Sequence, residues 1–310
     1  MEEIMFLEPV FKEMIWGGNR LSKEFHYNIP SDATGECWAV SAHKNGDCCV
    51  KNGAYQGEKL SDLWANHREL FGNQTGDEFP LLIKIIDAKT DLSIQVHPGD
   101  AYANINENGS LGKTECWYIL DCDEDAKIVV GHNASDKKEL REMIAQNRWN
   151  DLIQVRPIKK GDFFQINPGT VHAIKGGTLI LETQQSSDVT YRLYDYDRLQ
   201  DGKPRELHID KSIDVINCPH VDVVSKGTEL SLEHGKVEEL IQCEFYTVKK
   251  ITLWGKETFE QTKPFQIYSV IDGDGTINGQ AIQKGDHFIL PSGFGNYEIQ
   301  GTMQLIVSSL

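Results

Sequence analysis

A β-type motif occurs twice in this chain. IKKGDFFQINPGTVHAI, from Ile158, aligns with IQKGDHFILPSGFGNYEI, from Ile282. Each copy carries a lysine before a Gly-Asp turn, then a Phe-containing strand, then a bend of proline and small residues. A lone turn and strand cannot bury an apolar face, so the repeat predicts two related β units that each continue into a larger sheet. Strand-like runs bounded by Gly, Asn, Asp and Pro fill much of the rest, at 36–41, 81–87, 92–97, 116–120, 127–130, 178–182 and many places after Val221. Helix signals are few. Ser61 is placed to cap a helix through LSDLWANHRELFG, and Ser135, with Lys138 and Glu139, to open one through SDKKELREMIAQNRWNDLIQV. Leu140, Ile144, Trp149 and Leu152 give the latter an apolar stripe, and it reads as an insertion between strands. The expected fold is mainly β: two barrels with a few short helices inserted in the N-terminal half. With 310 residues, the chain is long enough for two cores. The expected division is 1–225, holding the site, and 226–310, without one.

The two copies differ in their chemistry-bearing residues. Eleven positions after the turn glycine, Gly161 leads to His172 but Gly285 leads to Asn296. Upstream, ECWYILD at Glu115 aligns loosely with QIYSVID at Gln266, so an amide replaces a carboxylate. Polar groups therefore gather in the first unit only. In LSIQVHPGDAYANINENGSLGKTECW, residues two apart share a strand face, which pairs Gln95 with His97 and Lys113 with Glu115 on either side of a Gly/Asn-rich loop. Imidazole, carboxylate and amide oxygen are donors that a divalent ion such as zinc accepts, and a barrel would bring His172 to face them.

Charge narrows the partners. Forty-seven acidic against 31 basic residues leave a formal charge of −16, a field that repels nucleic acid and anionic membranes, so any anionic substrate needs local cations. No apolar run is long enough to span a bilayer, and the start MEEIMFLEPV is acidic where a secretory signal would be basic. The seven cysteines (37, 48, 49, 116, 122, 218 and 243) contain no CxxC and read as reduced thiols, with Cys37 and Cys116 as packing residues. The expected compartment is the cytoplasm. Oligomeric state is open, a monomer included.

The turn pattern at Gly161 and Gly285 resembles the second signature of the cupins, double-stranded β-helix (jelly-roll) barrels that often hold a metal in their mouth. Within that superfamily, IWGGNRL, LIKIIDAKTDLSIQVHPGD, GKTECWYIL, NPGTVHAI and LETQQSSDVTYRLYDYDR resemble, in order, blocks of type I mannose-6-phosphate isomerases of the short bacterial form. These blocks cover about two-thirds of the chain; beyond them only the general cupin turn is shared. The resemblance implies a zinc enzyme, one ion per chain, that interconverts mannose 6-phosphate and fructose 6-phosphate. It implies His97, Glu115 and His172 as metal ligands, Gln95 as the amide that completes the shell, Arg192 as the active-site arginine, Lys113 as a substrate-facing lysine and Glu182 as a proton-transfer carboxylate. One departure stands out: longer members often carry a histidine immediately before that lysine, where this chain has Gly112.

The implied reaction makes sense of these residue types. Moving a proton between adjacent carbons through an enediolate needs a base and positive charge near two oxygens. Zinc can supply the charge as a Lewis acid. Arg192 can grip the phosphate or stabilise developing charge, and Lys113 can act as a point charge. Glu182 is the preferred base, with a metal-bound water or a neighbouring histidine as alternatives. Each residue also has a bland reading: His97 a structural histidine, Glu182 a salt-bridge partner, Arg192 a partner of Asp188 or Asp195, Lys113 a solvated loop lysine. The other eight histidines (26, 43, 67, 132, 208, 220, 234 and 287) read as surface or structural. Tyr191, Tyr194 and Tyr196 read as packing, and Trp16, Gly17 and Gly18 as a turn over the site. Two other functions fit a cupin: a metal-dependent oxygenase and a non-catalytic sugar-phosphate binder.

Overall fold

The computed structural model describes residues 3–225 and 227–310. It is mainly β, as expected, and the strands form three principal sheets. In the first half, a six-stranded antiparallel sheet runs in the order Phe163–Ile166, Glu115–Cys122, Thr178–Gln185, Leu81–Ala88, Val10–Gly18, Thr34–Val40. A five-stranded sheet runs Ile153–Pro157, Lys127–His132, His172–Ile174, Ile94–Val96, Tyr191–Tyr194. They enclose one interior, where Trp117, Ile119, Ile180 and Ile86 of the larger sheet meet Ile128, Val130 and Ile174 of the smaller.

Four strands of the six-stranded sheet are buried along nearly their whole length because both of their faces are covered. Period-two alternation sorts their side chains. Leu81, Ile83, Ile85, Cys116, Tyr118, Leu179 and Leu181 point away from the barrel into a core shared with Phe265, Ile267, Ile289 and Ile306 of the C-terminal half. Lys84, Trp117, Glu182, Glu36 and Trp38 point into a cleft. The outer face of the five-stranded sheet packs on helices through Leu140, Met143, Leu152 and Ile213.

Seven strands of the C-terminal half form a nine-stranded sheet together with Met5–Glu8 and Cys49–Val50. Its two longest strands, Thr247–Gln261 and Gly295–Ser309, pair from end to end. One face meets the first unit. The other gathers Ile251, Tyr268, Val270, Phe288, Leu305 and Val307 into a single cluster, so the sheet curls round a core of its own. The N-terminal strand Met5–Glu8 belongs to this sheet and pairs with His287–Leu290.

The repeated turns coincide in detail. Gly161 and Gly285 have φ of 91° and 96°, the left-handed region open to glycine. In each turn the Asp side chain accepts an N–H three residues back, Lys159 (2.9 Å) and Gln283 (2.9 Å).

Several local expectations are corrected. Ser61 does not cap its helix: Leu60–Asn66 starts one residue earlier, and the Ser61 hydroxyl donates to Asp47 instead, at 2.5 Å. The segment after Ser135 is two helices, Lys137–Ala145 and Trp149–Leu152, followed by a strand. Asn147, at φ 55°, breaks it, and Asp136 is the cap, accepting from Lys138 and Glu139 N–H. The Gly/Asn-rich loop contains a helix, Asp100–Asn106. Trp16, Gly17 and Gly18 end a strand rather than form a turn. No helix among the described residues is long and apolar enough to cross a membrane.

Candidate metal centre and active-site cleft

His97 follows the strand Ile94–Val96, Glu115 opens its strand, and His172 opens the strand paired with Gln95. The three side chains are buried. His97 Nε2 lies 3.4 Å from Glu115 Oε2, His172 Nε2 lies 3.4 Å from Glu115 Oε1, and the two Nε2 atoms are 3.1 Å apart. The outer nitrogens fix the tautomers: His97 Nδ1–H donates to Val189 O at 2.9 Å and His172 Nδ1–H to Thr170 O at 2.8 Å. Both Nε2 atoms are then bare acceptors, and two acceptors cannot bond each other. The Glu115 oxygens accept no well-formed hydrogen bond from the described residues, and the Lys113 ammonium contacts Oε2 alone, as an ion pair. Acceptors converging on one point in a buried place call for a cation, and zinc bonds at a tetrahedral angle would hold donors about 3.3 Å apart. The donor set fits that ion. Among the described residues this is the one such cluster, and none lies in the second unit.

Burial pushes His97 down to about 3, and His172 is lowered by the same cause, so both are neutral. Burial works against ionisation of Glu115 too, but the charge of Lys113 holds its carboxyl well below the usual range. Lys113 Nζ is 3.1 Å from Glu115 Oε2. Gln95 stands beside the cluster, its Nε2 3.3 Å from His172 Nε2 and its Oε1 accepting from Ser93. Turning the amide by half a rotation would present oxygen instead.

Beside the cluster lies a cleft of about 430 Å³ lined by Gln95, Lys113, Glu182 and Arg192, so these four expected residues share one space. Glu182 is buried; Trp117 Nε1–H donates to its Oε2 at 3.0 Å, and Lys84 Nζ lies 3.4 Å from its Oε1. Burial, then the charge of Glu115, raise its pKa against the pull of Lys113 and Lys84. Arg192 pairs with neither acid named for its bland reading: Asp188 accepts from Asn45, and Asp195 holds Arg198 and Arg205.

Sequence reasoning passed over Lys84, Glu36, Trp38, Arg205 and His208, all of which line the cleft. A signal existed for Lys84, a charged residue inside the apolar run LLIKII. It also missed why the QQSS block matters. Gln185 exchanges backbone and side-chain hydrogen bonds with Thr114, and Ser187 Oγ donates to Leu111 O at 2.9 Å, which clamps the segment that presents Lys113 and Glu115. Gly112 has a steric reason: a Cβ there would lie 2.4 Å from Asp100 N and 2.5 Å from Gly99 C, so this backbone admits no histidine. Tyr191, Tyr194 and Tyr196 do pack, with Tyr194 stacked on Trp149.

A jelly-roll fold with two imidazoles and a carboxylate converging inside it defines a cupin with a cluster able to hold a metal ion. Residues 4–120 match the family model for the phosphomannose isomerase type I catalytic domain, and residues 236–310 match that for the mannose-6-phosphate isomerase cupin domain. The chain is 52% identical to mannose-6-phosphate isomerase ManA of Bacillus subtilis, with 99% of each covered, and 49% identical to mannose-6-phosphate isomerase of Streptococcus mutans, with 99% of this chain and 98% of that one covered. A crystal structure of mannose 6-phosphate isomerase from Bacillus subtilis superposes with a TM-score of 0.98 at 48% identity over 100% of both chains. The chain belongs to the type I phosphomannose isomerase family and is an enzyme.

Proposed function

We propose that the protein interconverts mannose 6-phosphate and fructose 6-phosphate through an enediolate, with one zinc ion per chain held by His97, Glu115 and His172 and with Gln95 completing the shell. The observation that carries this is the facing pair of unprotonated Nε2 atoms with Glu115 against both. When bound, zinc supplies Lewis-acid charge for the two substrate oxygens.

This chain's own residues supply the rest. Glu182 is the base that moves the proton between adjacent carbons: it lines the cleft, and its raised pKa brings a carboxylate toward the range where it can both take and return a proton. Trp117 and Lys84 hold it in place. Lys113 sets positive charge beside the reacting end, and Arg192 meets the anionic substrate. We place the catalytic unit in 1–225 and assign 226–310 the structural task of walling the first barrel, which the shared core supports. Seven free cysteines and a charge of −16 support a cytoplasmic location.

The test is fructose 6-phosphate formation from mannose 6-phosphate by the purified protein, before and after chelation and with zinc restored. Activity should vanish on chelation and return with zinc. A folded, zinc-loaded protein without turnover would overturn the reading.

A further inference from the structure

The metal cluster lies at one side of the cleft, and another part of the cleft gathers guanidinium groups around few carboxylates. His172 pairs across strands with Gln95, and Gln95 with Arg192. Two strand spacings, about 10 Å, therefore separate the backbones of His172 and Arg192. Arg205 lines the same cleft. It directly follows a two-stranded hairpin, Leu199–Gln200 with Lys203–Pro204.

Asp195 organises the cations around this hairpin. It is buried, and it accepts from Arg205 Nε at 2.7 Å, from Arg205 Nη2 at 2.5 Å and from Arg198 Nη2 at 2.5 Å. Arg198 is used up inside the protein, since its other nitrogens donate to Asp195 O and Asp91 O. Arg205 is not: its Nη1 has no partner among the described residues. Arg192, unlike Arg205, makes no ion pair among the described residues. Its Nη1 donates to Glu206 O at 2.9 Å, and its Nε is buried without a partner.

Three guanidinium groups thus gather about one buried carboxylate; Glu206, the other acid that acts on Arg192, is exposed, and so is Asp188, which lines the same cleft. Burial, and next the charge of Arg205, pull the pKa of Arg192 below its ordinary value. Like charges held together in a half-buried cleft are costly unless an anion joins them. The other buried lysines do not compete, because Lys113 is paired with Glu115 and Lys84 with Glu182. Lys12 also lines the cleft, lying over the Trp38 ring and donating to Asn45 O. It offers a point charge, whereas two planar forks match the oxygens of a phosphate dianion.

We propose that Arg205, clamped by Asp195 and delivered by the 199–204 hairpin, is a substrate-binding residue that grips the sugar's phosphate together with Arg192. This rests on the isomerase reading above and adds to it the group that fixes the far end of the substrate. A six-carbon phosphate ester can bridge the two ends of the cleft, so the phosphate would set which carbons reach Glu182. Asp195 is then a positioning residue, fixing the fork of Arg205.

The experiment measures KM for mannose 6-phosphate and competitive inhibition by inorganic phosphate in wild type, R205Q, R205K and K12Q. The wild-type turnover tests the isomerase reading; the variants test this inference. R205Q should raise both constants about tenfold or more while bound zinc stays at the wild-type level. R205K, which keeps charge but loses the fork, should fall between. Wild-type constants in R205Q, or a loss confined to K12Q, would overturn the proposal. Should the Arg205 variants not fold, labelling of wild-type Arg205 by phenylglyoxal decides. Inorganic phosphate should protect it, and equal labelling with and without phosphate would overturn the assignment.

Discussion

Glu182 shows how one residue type takes different roles by surroundings. It and Glu115 sit on adjacent strands of one sheet, yet Glu115 is held ionised by Lys113 while Glu182 is pushed toward its neutral form. E182Q keeps the shape and the Trp117 contact but cannot carry a proton, so kcat should drop about 10²- to 10⁴-fold with bound zinc unchanged. Near-normal turnover with full zinc would remove Glu182 from the base role. His287 takes the structural side of its expected reading. It is buried in the second unit, where Tyr27 OH donates to Gly285 O and so accepts from His287 Nε2, leaving Nδ1 to accept from Ser269. Burial lowers its pKa to about 3. The unfolded chain protonates this histidine below about 6.5 while the fold keeps it neutral. The stability it contributes is therefore present above that pH and lost as pH falls toward about 3. Urea midpoints between pH 6 and 4 should decline less steeply in H287Q, by up to about 1.4 kcal/mol per pH unit. Parallel slopes would contradict a neutral His287.

At the scale of elements, the repeated Gly-Asp turn is a folding device that the chemistry does not require. Both glycines adopt positive φ, but their surroundings differ. A Cβ on Gly161 would meet nothing closer than Tyr118 OH at 3.8 Å, whereas on Gly285 it would lie 3.2 Å from Tyr27 and 3.3 Å from Phe25 O. Tyr27 cannot yield freely because it bonds Gly285 O and His287. G161A should cost about 1–2 kcal/mol from backbone strain alone, and G285A clearly more, as read by denaturant midpoints. Equal losses would mean that Tyr27 gives way. The turn was legible in the sequence because glycine and aspartate act locally. The helix after Ser135 was legible as a stripe but not in its extent, since Asn147 entering the left-handed region is one choice among several that local chemistry permits.

For the whole molecule, the decisive feature is the shared core. Phe265 of the C-terminal half packs against Phe71 and Phe79 of the first, with ring centroids 5.6 and 5.2 Å apart. The N-terminal strand closes the same connection from the other side. F265A should cost about 3–5 kcal/mol and lower one cooperative unfolding transition seen by both fluorescence and circular dichroism. Two separate transitions, or a soluble and fully active 1–225 fragment, would defeat the structural role given to the second unit.

The sequence by itself determined the β class and the chemical asymmetry of the two repeated turns, and its likeness to a family pointed to His97, Glu115 and His172, which the fold gathers, and to Gln95, Lys113, Glu182 and Arg192, which line one cleft. Turn glycines, strand periodicity and chemically specific donors are local properties, and the chain carries them directly. Tertiary structure decided the rest. Which charges neutralise one another depends on strand order and sheet packing: Lys84 meets Glu182 from neighbouring strands, Lys113 meets Glu115, and Asp195 takes Arg205 rather than Arg192. Pairings between distant segments are fixed only when two faces close on each other, and the same closure sets the burial that neutralises His97 and lifts Glu182.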